Sequence, residues 1–312
     1  MRRFARRRPA IGWSLVVAIA IAACGGGPFA SPSPVTSTSP PPSATAPPSA
    51  SPVVSPPPTP TPPPSPTPTP SPTPRPSPTS KPSPPPSPKP SATPTPVVAS
   101  TLARHGSRAG NDVGLTFDMG GRVGDAVAVV DWLVAHDVHA TVFMTGAMAD
   151  NKNTDAGRQV LSIIEAHPDL LTLGNHSYSH PDFRDLSASE MRDELRRTET
   201  ALAAHCSQDP RPFFRPPYGG TDADVLSAVG NAGYRWTVLW DIDTIDWRPI
   251  DNDPPGPTAD QIVSKVLGNA QGGSIVLMHL GGYETFEALP RIVDGLDDAG
   301  FDLVTLDQLL GG

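Results

Sequence analysis

Short apolar runs alternate with amphipathic stretches from Val113 to the end of the chain. The apolar runs predict strands, over residues 113–117, 138–145, 170–174, 212–215, 234–242, 274–279 and 301–305. The stretches between them carry apolar residues at helical spacing and predict helices, over residues 124–136, 155–167, 188–205, 222–232, 259–270 and 285–299. Ser187 and Glu190 have the spacing of a capping box, which marks the start of the third helix. This alternation of strands and helices predicts a parallel α/β fold.

The first 24 residues have the composition of an export signal. Five arginines precede an apolar run over residues 11–23, and this run is shorter than the ~20 residues that span a bilayer. The run ends in small residues before Cys24, which resembles a bacterial lipobox and predicts a lipidated cysteine at the start of the mature protein. An ordinary signal peptide, or an uncleaved anchor with an incidental cysteine, is the alternative. The lipoprotein interpretation places the protein outside the cytoplasm, anchored to the bacterial cell membrane.

Residues 25–100 are rich in Ser, Thr and Pro and predict a disordered linker. Within them, residues 28–96 contain 31 of the 43 prolines and no acidic residue. Proline biases such a chain toward extended polyproline II, so this linker reaches on the order of 200 Å at ~3.1 Å per residue. The folded domain is then expected over residues 101–312.

The domain is strongly acidic. Residues 97–312 hold 15 Lys and Arg against 31 Asp and Glu, a formal net charge of −16. This charge repels polyanions, so it argues against nucleic acid or an anionic membrane surface as the partner of the domain. We expect a monomer.

Groups that contain polar residues lie at the carboxyl ends of five of the predicted strands. The five groups are Thr116 to Asp118, Asn175 to His180, Arg215 to Gly219, Asp243 to Trp247 and Leu277 to His279. Because the carboxyl ends of parallel strands share one rim, we expect these groups to form a single site.

The residue types in these groups suit acid–base and metal chemistry. His176 and His180 are four residues apart, which on a helical turn lets two imidazoles share a metal ion. Asp118 is a general base, a metal ligand or a structural cap, and His279 is a general acid or a core histidine.

Two further residues are expected to tune the acid and the base. Arg215 is expected to fix Asp118 and lower its pKa, and Asp246 is expected to orient His279 and support its charged form. Three residues form either a small apolar pocket or ordinary core, namely Tyr218, Trp247 and Leu277.

The segments TFD, NHSYSH, RPPYG, DTIDW and LMH, in this order, resemble the motifs of the polysaccharide deacetylases of the NodB-homology type, carbohydrate esterase family 4. The resemblance covers roughly residues 112–312. It implies a distorted (β/α)7 barrel that removes N-acetyl groups from an extracytoplasmic glycan, such as peptidoglycan or an exopolysaccharide. It also implies a divalent metal ion, typically zinc and in some members cobalt or another divalent ion.

The resemblance assigns a role to each matching residue. Asp118 is the base for a metal-bound water, and His279 is the acid that protonates the leaving amine. The residues that tune this base and this acid are Arg215 and Asp246. The metal ligands are His176 and His180. The backbone N–H of Tyr218 stabilises the oxyanion together with the metal. The acetyl-methyl pocket is formed by Tyr218, Trp247 and Leu277.

One position departs from the family pattern. The usual first motif has two adjacent aspartates, the second of which is a third metal ligand, whereas this chain has Met119 there. A thioether is a poor ligand for a borderline ion beside two imidazoles, so we expect reduced metal affinity. The candidates for a replacement ligand are Asp118, Asp125 and Asp182.

Two other functions use the same residues. A catalytically impaired barrel would bind glycan without hydrolysing it; Met119 favours this alternative, and the intact acid and base oppose it. An O-acetyl esterase of the kind that acts on xylan would use the same acid and base, since a leaving alcohol and a leaving amine need similar proton transfers. These residues do not distinguish between the candidate glycans.

Overall fold

A computed structural model describes residues 98–311. The predicted signal peptide, its Cys24 and the linker up to residue 97 lie outside this part of the chain. Among the described helices, none has both the length and the apolar character needed to cross a bilayer.

Nine strands of the described chain form a sheet in which every strand pair is parallel. They are β1 (Thr101–Ala103), β2 (Asp112–Met119), β3 (Ala140–Met144), β4 (Leu171–Asn175), β5 (Phe213–Phe214), β6 (Trp236–Val238), β7 (Ile242–Asp243), β8 (Ile275–His279) and β9 (Asp302–Leu303). Eight lie side by side in the order β1-β6-β5-β4-β3-β2-β8-β7, and β9 pairs with β2. The sequence pattern missed β1, because three residues carry too little periodicity to mark a strand.

Seven α-helices lie between these strands. They are α1 (Ala126–Ala135), α2 (Gly146–Ala149), α3 (Ala156–Ala166), α4 (Ala188–Ala203), α5 (Ala223–Asn231), α6 (Ala259–Asn269) and α7 (Thr285–Asp298). All six predicted helices are present, and α2 is an additional single turn. The capping box of Ser187 and Glu190 is confirmed at the start of α4. The predicted parallel α/β class is therefore confirmed.

The prediction of one strand over residues 234–242 is wrong, because this segment forms two strands at distant places in the sheet. β6 lies second from one edge, and β7 is the opposite edge. Six strand spacings of about 4.8 Å would separate them by about 29 Å in a flat sheet. Only four residue steps join Val238 to Ile242, and these span at most about 14 Å. The sheet therefore curls into a distorted barrel whose edge strands are β1 and β7.

Side chains of β2 alternate between the helix layer and the barrel interior. Phe117 and Met119 belong to the large hydrophobic cluster that includes residues of α1, α3, α6 and α7. Thr116 and Asp118 point the other way, and both contact Arg215 inside the barrel. The period of two thus places the carboxylate of Asp118 in the barrel and the next side chain in the core.

Candidate active site

A cavity of about 500 Å³ opens at the carboxyl ends of the strands. The predicted site residues that line it are Asp118, His176, His180, Tyr218, Trp247, Leu277 and His279. Arg215 and Asp246 are fully buried behind it, in contact with Asp118 and His279. The structure thus brings together all the predicted site residues that it describes.

Asp118 and Arg215 form a buried ion pair at this cavity. Arg215 Nη1 lies 2.7 Å from Asp118 Oδ1, and Arg215 Nη2 donates to the Thr116 hydroxyl at 2.8 Å. The carbonyl oxygens of Val238 and Leu239 accept further bonds from the guanidinium. Burial alone would raise the pKa of Asp118, but the charge of Arg215 and the nearby imidazoles outweigh burial and lower it. Asp118 is therefore ionised at neutral pH and is a weak base.

His279 and Asp246 form a second pair. His279 Nδ1 lies 2.7 Å from Asp246 Oδ1, and the backbone N–H of His279 donates to Asp246 Oδ2 at 2.8 Å. The hydroxyl of Thr285 donates to the same Oδ2 at 2.5 Å. Burial alone would lower the pKa of His279, but the hydrogen bond and charge of Asp246 raise it above its ordinary value. Because Asp246 occupies Nδ1, Nε2 is the nitrogen left to protonate a substrate.

The two pairs are neighbours in the sheet. Asp118 and His279 are directly paired in the register of β2 and β8. A carboxyl group with a lowered pKa and an imidazole with a raised pKa therefore lie side by side at one rim, which is the arrangement that a general base and a general acid need.

His176 and His180 lie on the irregular loop after β4, so the expectation of a helical turn is wrong. Ser177 and His180 both have φ of 63°, a left-handed conformation that folds the loop back on itself. The two imidazole centroids are 4.9 Å apart as a result. His176 Nδ1 donates to the Arg215 carbonyl oxygen at 2.9 Å. His176 Nε2 therefore carries the lone pair, and it lies 3.4 Å from Asp118 Oδ2.

Both imidazoles are held neutral. Burial lowers the pKa of His176. Burial together with the neighbouring His176 lowers the pKa of His180 to about 4. A neutral imidazole is the form that binds a metal ion, so both rings are in the protonation state that a ligand needs.

A buried carboxylate on α4 holds this loop. Glu194 Oε2 accepts the backbone N–H groups of Tyr178 and Ser179 at 2.8 and 2.7 Å. Glu194 Oε1 accepts the hydroxyl of Ser179 at 2.9 Å. Sequence reasoning missed Glu194, because one more glutamate on a helix rich in charged residues carries no signal.

His176 and His180 are the two imidazole donors of this site, and Asp118, one of the candidate replacement ligands, lies at the cavity with Oδ2 3.4 Å from His176 Nε2. Within residues 98–311, no group of three or more His, Cys, Asp or Glu side chains is arranged to hold a metal ion. Met119 is buried in the core, so its thioether does not reach the cavity. Asp182 pairs with Arg184, Asp125 is exposed before α1, and neither lines the cavity. The donor set fits a weakly held divalent ion whose other coordination positions are open.

Aromatic side chains form one wall of the cavity. Tyr218 and Trp247 are 71% and 49% exposed, and Leu277 is buried beside them. Tyr218 has φ of 58°, and its ring meets that of His180 edge to face at 4.8 Å. A left-handed tyrosine is strained, and such strain is concentrated at functional sites. Trp240 also lines the cavity, and sequence reasoning missed it because its segment was assigned to a continuous strand.

Comparisons with known proteins agree on one family. A family model described as polysaccharide deacetylase matches residues 105–237. A peptidoglycan-N-acetylglucosamine deacetylase of Bacillus cereus is 33% identical over 202 residues, which cover 64% of this chain and 68% of that protein. A chitooligosaccharide deacetylase of Bradyrhizobium is 32% identical over 210 residues, which cover 62% of this chain and 89% of that protein.

A solved structure shares the fold. The crystal structure of a CE4 family pseudoenzyme from Bacillus anthracis matches with a TM-score of 0.57 at 28% identity, over 68% of this chain and 69% of that one. Sequence and fold both lead to one assignment: the chain belongs to the polysaccharide deacetylase family, carbohydrate esterase family 4.

Proposed function

We propose that this protein is a metal-dependent hydrolase that removes N-acetyl groups from an extracytoplasmic glycan. The register of β2 and β8 carries this proposal, because it sets the Asp118–Arg215 pair beside the His279–Asp246 pair at one cavity. A protein that only binds glycan has no need of an acid and a base tuned in opposite directions.

Asp118 acts as the base and His279 as the acid. Asp118 takes a proton from the attacking water while Arg215 holds its carboxylate in place. Because the pKa of Asp118 is lowered, it needs a water more acidic than bulk water. A divalent ion, which we propose to be zinc with cobalt as an alternative, would be held by His176 and His180 and would supply that acidity. His279 then donates the proton from Nε2 to the leaving nitrogen.

The cavity wall positions the acetyl group. The side chains of Tyr218, Trp247 and Leu277 offer an apolar surface for its methyl group. The backbone N–H of Tyr218 donates to the oxygen that becomes negatively charged in the transition state.

The relatives and the N-terminal pattern support a proposal for the substrate and its location. The Bacillus cereus relative carries the name of a peptidoglycan-N-acetylglucosamine deacetylase, which favours peptidoglycan, with an exopolysaccharide as the alternative. Lipidation of Cys24 would anchor the chain to the membrane, and the linker would let a monomeric domain reach the glycan. The acidity of the domain argues against nucleic acid as a partner.

A catalytically impaired glycan-binding module is the second candidate. It is favoured by the burial of Met119 in the core, which leaves the site with two imidazole donors. The similar Bacillus anthracis protein is itself described as a pseudoenzyme.

Acetate release separates the two candidates. The full chain is incubated with peptidoglycan or N-acetylglucosamine oligomers, with zinc, cobalt or a chelator added. We expect release that requires added metal and that falls by about 100-fold or more in Asp118→Asn, as loss of a general base does. Asp131→Asn, an exposed aspartate of α1, is the matched control and should keep full activity. Glycan binding without acetate release under any metal would instead establish the binding module.

A further inference from the structure

Arg122 is a cation on the cavity wall that the proposed reaction does not use. It lies in the loop between β2 and α1 and lines the cavity. Its Nη1 donates to the carbonyl oxygens of Gly281 and Gly282 at 2.6 and 3.1 Å. Its guanidinium carbon lies 4.2 Å from the centroid of the Tyr283 ring. These contacts fix the guanidinium against the loop that follows His279.

The charge of Arg122 is not neutralised by the described part of the protein. Eight arginines within residues 98–311 form ion pairs with Asp or Glu, and Arg122 is not among them. Asp243 also lines the cavity, and its carboxylate accepts the backbone N–H of Ile245. The two donors of Arg122 Nη1 are used by carbonyls, whereas Nε and Nη2 have no protein partner among these residues. That free edge is a fork of parallel N–H donors, which matches a carboxylate.

We propose that Arg122 is a subsite for a carboxylate on the glycan, so that the enzyme prefers an acidic N-acetylated glycan to a neutral one. This inference rests on the proposed function and names its substrate class more narrowly. The fixed position of the guanidinium favours it, since little side-chain entropy remains to be lost on binding.

Isolated carboxylates, such as one on every second sugar, suit this site better than a dense polyanion. The domain as a whole is acidic, and Asp243 shares the cavity with Arg122. A polymer with many closely spaced charges would be repelled by this surface, whereas an isolated carboxylate would meet the one unpaired guanidinium of the cavity. Peptidoglycan whose muramic acid carries a free lactyl carboxylate has this chemistry.

A purely structural role for Arg122 makes a different prediction. The two loops already meet through backbone atoms, since a Cβ at Gly281 would lie 1.7 Å from the Arg122 carbonyl oxygen. If Arg122 served only to join the loops, its loss would affect acidic and neutral glycans equally. A carboxylate subsite predicts an effect that depends on the charge of the glycan.

The test compares one oligosaccharide in two charge states. The probes are an oligomer of alternating N-acetylglucosamine and N-acetylmuramic acid with free carboxylates, and the same oligomer after reduction of the carboxylates to alcohols. We expect the ratio of kcat/KM, acidic over neutral, to fall by about 5- to 10-fold in Arg122→Gln, which corresponds to one charge-assisted contact. Arg122→Lys should lower the ratio less, because it keeps the charge. An equal loss on both oligomers would overturn the inference.

Arg235→Gln is the matched control. Arg235 is exposed, stacks on an aromatic ring as Arg122 does, and lies at the start of β6, away from the carboxyl ends of the strands. In Arg235→Gln, the ratio of kcat/KM on the acidic oligomer to kcat/KM on the neutral oligomer should equal the ratio in the unmodified chain.

Equilibrium binding separates failure of this inference from failure of the proposed function. Both oligomers are titrated against the full chain in the presence of a chelator, so that no turnover is needed. We expect the acidic oligomer to bind about 5- to 10-fold more tightly, with the difference lost in Arg122→Gln and weakened by salt. Equal affinities, or binding of neither oligomer, would overturn the inference. Absence of acetate release with this affinity difference intact would overturn only the proposed function.

Discussion

Asp246 holds His279 through both of its carboxylate oxygens. Oδ1 of Asp246 accepts a hydrogen bond from Nδ1 of the imidazole, and Oδ2 accepts one from the backbone N–H of His279. The ring and the main chain of His279 are therefore fixed together. This contact keeps the imidazole protonated at a higher pH than an isolated histidine. The Asp118–Arg215 pair has the opposite effect, because Arg215 lowers the pKa of Asp118 and keeps its carboxylate ionised.

Asp246→Asn should move the alkaline limb of the kcat/KM profile to lower pH. The protonated form of His279 exists below its pKa, and activity is lost as the pH rises through that value. Removing the Asp246 charge lowers this pKa, so the loss begins earlier. The measurement is acetate release as a function of pH, with Asp131→Asn as the control. An unmoved limb together with reduced activity would show that Asp246 only orients the ring.

Met119 packs in the core, so its sulfur should not contribute to metal binding. We expect the unmodified chain to lose its metal on dialysis at neutral pH, because two imidazoles hold an ion weakly. Met119→Leu should give the same metal content and change the free energy of unfolding by less than about 1.5 kcal/mol. Metal content after dialysis is measured by elemental analysis. One tightly retained zinc per chain would contradict the two-donor site.

At the scale of elements, α4 positions the loop that carries the two histidines proposed as metal ligands. The loop has no regular structure of its own, and two of its residues have left-handed backbones. Its conformation depends on Glu194, which reaches from the first half of α4 to two backbone N–H groups. Because the capping box fixes the start of α4, the helix gives this carboxylate a rigid support.

Glu194→Ala should destabilise the fold and weaken metal binding together. Two N–H groups lose a charged acceptor, which we expect to cost about 3 kcal/mol in the free energy of unfolding. Metal affinity should fall by about 10- to 100-fold, as it does when groups that orient a ligand are removed. Denaturant unfolding and metal titration measure the two effects. Glu287 is an exposed glutamate of α7, and Glu287→Ala should change neither the free energy of unfolding nor the metal affinity. An unchanged metal affinity in Glu194→Ala would show that the loop is held by other contacts.

At the scale of the whole molecule, an acidic folded domain follows a proline-rich segment and an export-like N-terminus. A lipid at Cys24 would hold the chain at the membrane, where two acyl signals are needed for a stable anchor. The length of the segment would then set how far the active site reaches into the glycan layer.

Cys24→Ser should release the protein from the membrane fraction when the full chain is produced in a bacterium. The physical reason is the loss of acyl chains, each of which contributes ~0.8 kcal/mol per buried CH₂. Detergent-phase partition and fractionation measure the change. Cys206→Ser is the matched control, because this thiol is buried in the core and has no lipid to lose. Membrane retention of Cys24→Ser would point to an uncleaved anchor.

Local pattern was sufficient to predict the parallel α/β class, the six main helices and the residues at the strand ends. Each of these depends on the spacing of apolar residues or on a short motif, which neighbouring residues in the chain determine. Residues such as Thr285 and Glu194 carry no such signal. They act through contacts with residues distant in the chain, so only the fold identifies them.

The amino-acid pattern is enough to predict which side chains lie together at the rim, because parallel strands place their carboxyl ends together. It also shows that position 119 lacks a carboxylate. The division of residues 234–242 between the two sides of a curled sheet becomes visible in the fold alone, since curling depends on the whole set of strands. The fold also reveals that the histidines lie on a strained loop and that Arg122 forms no ion pair at the cavity within residues 98–311. Both depend on the close packing of segments far apart in the chain.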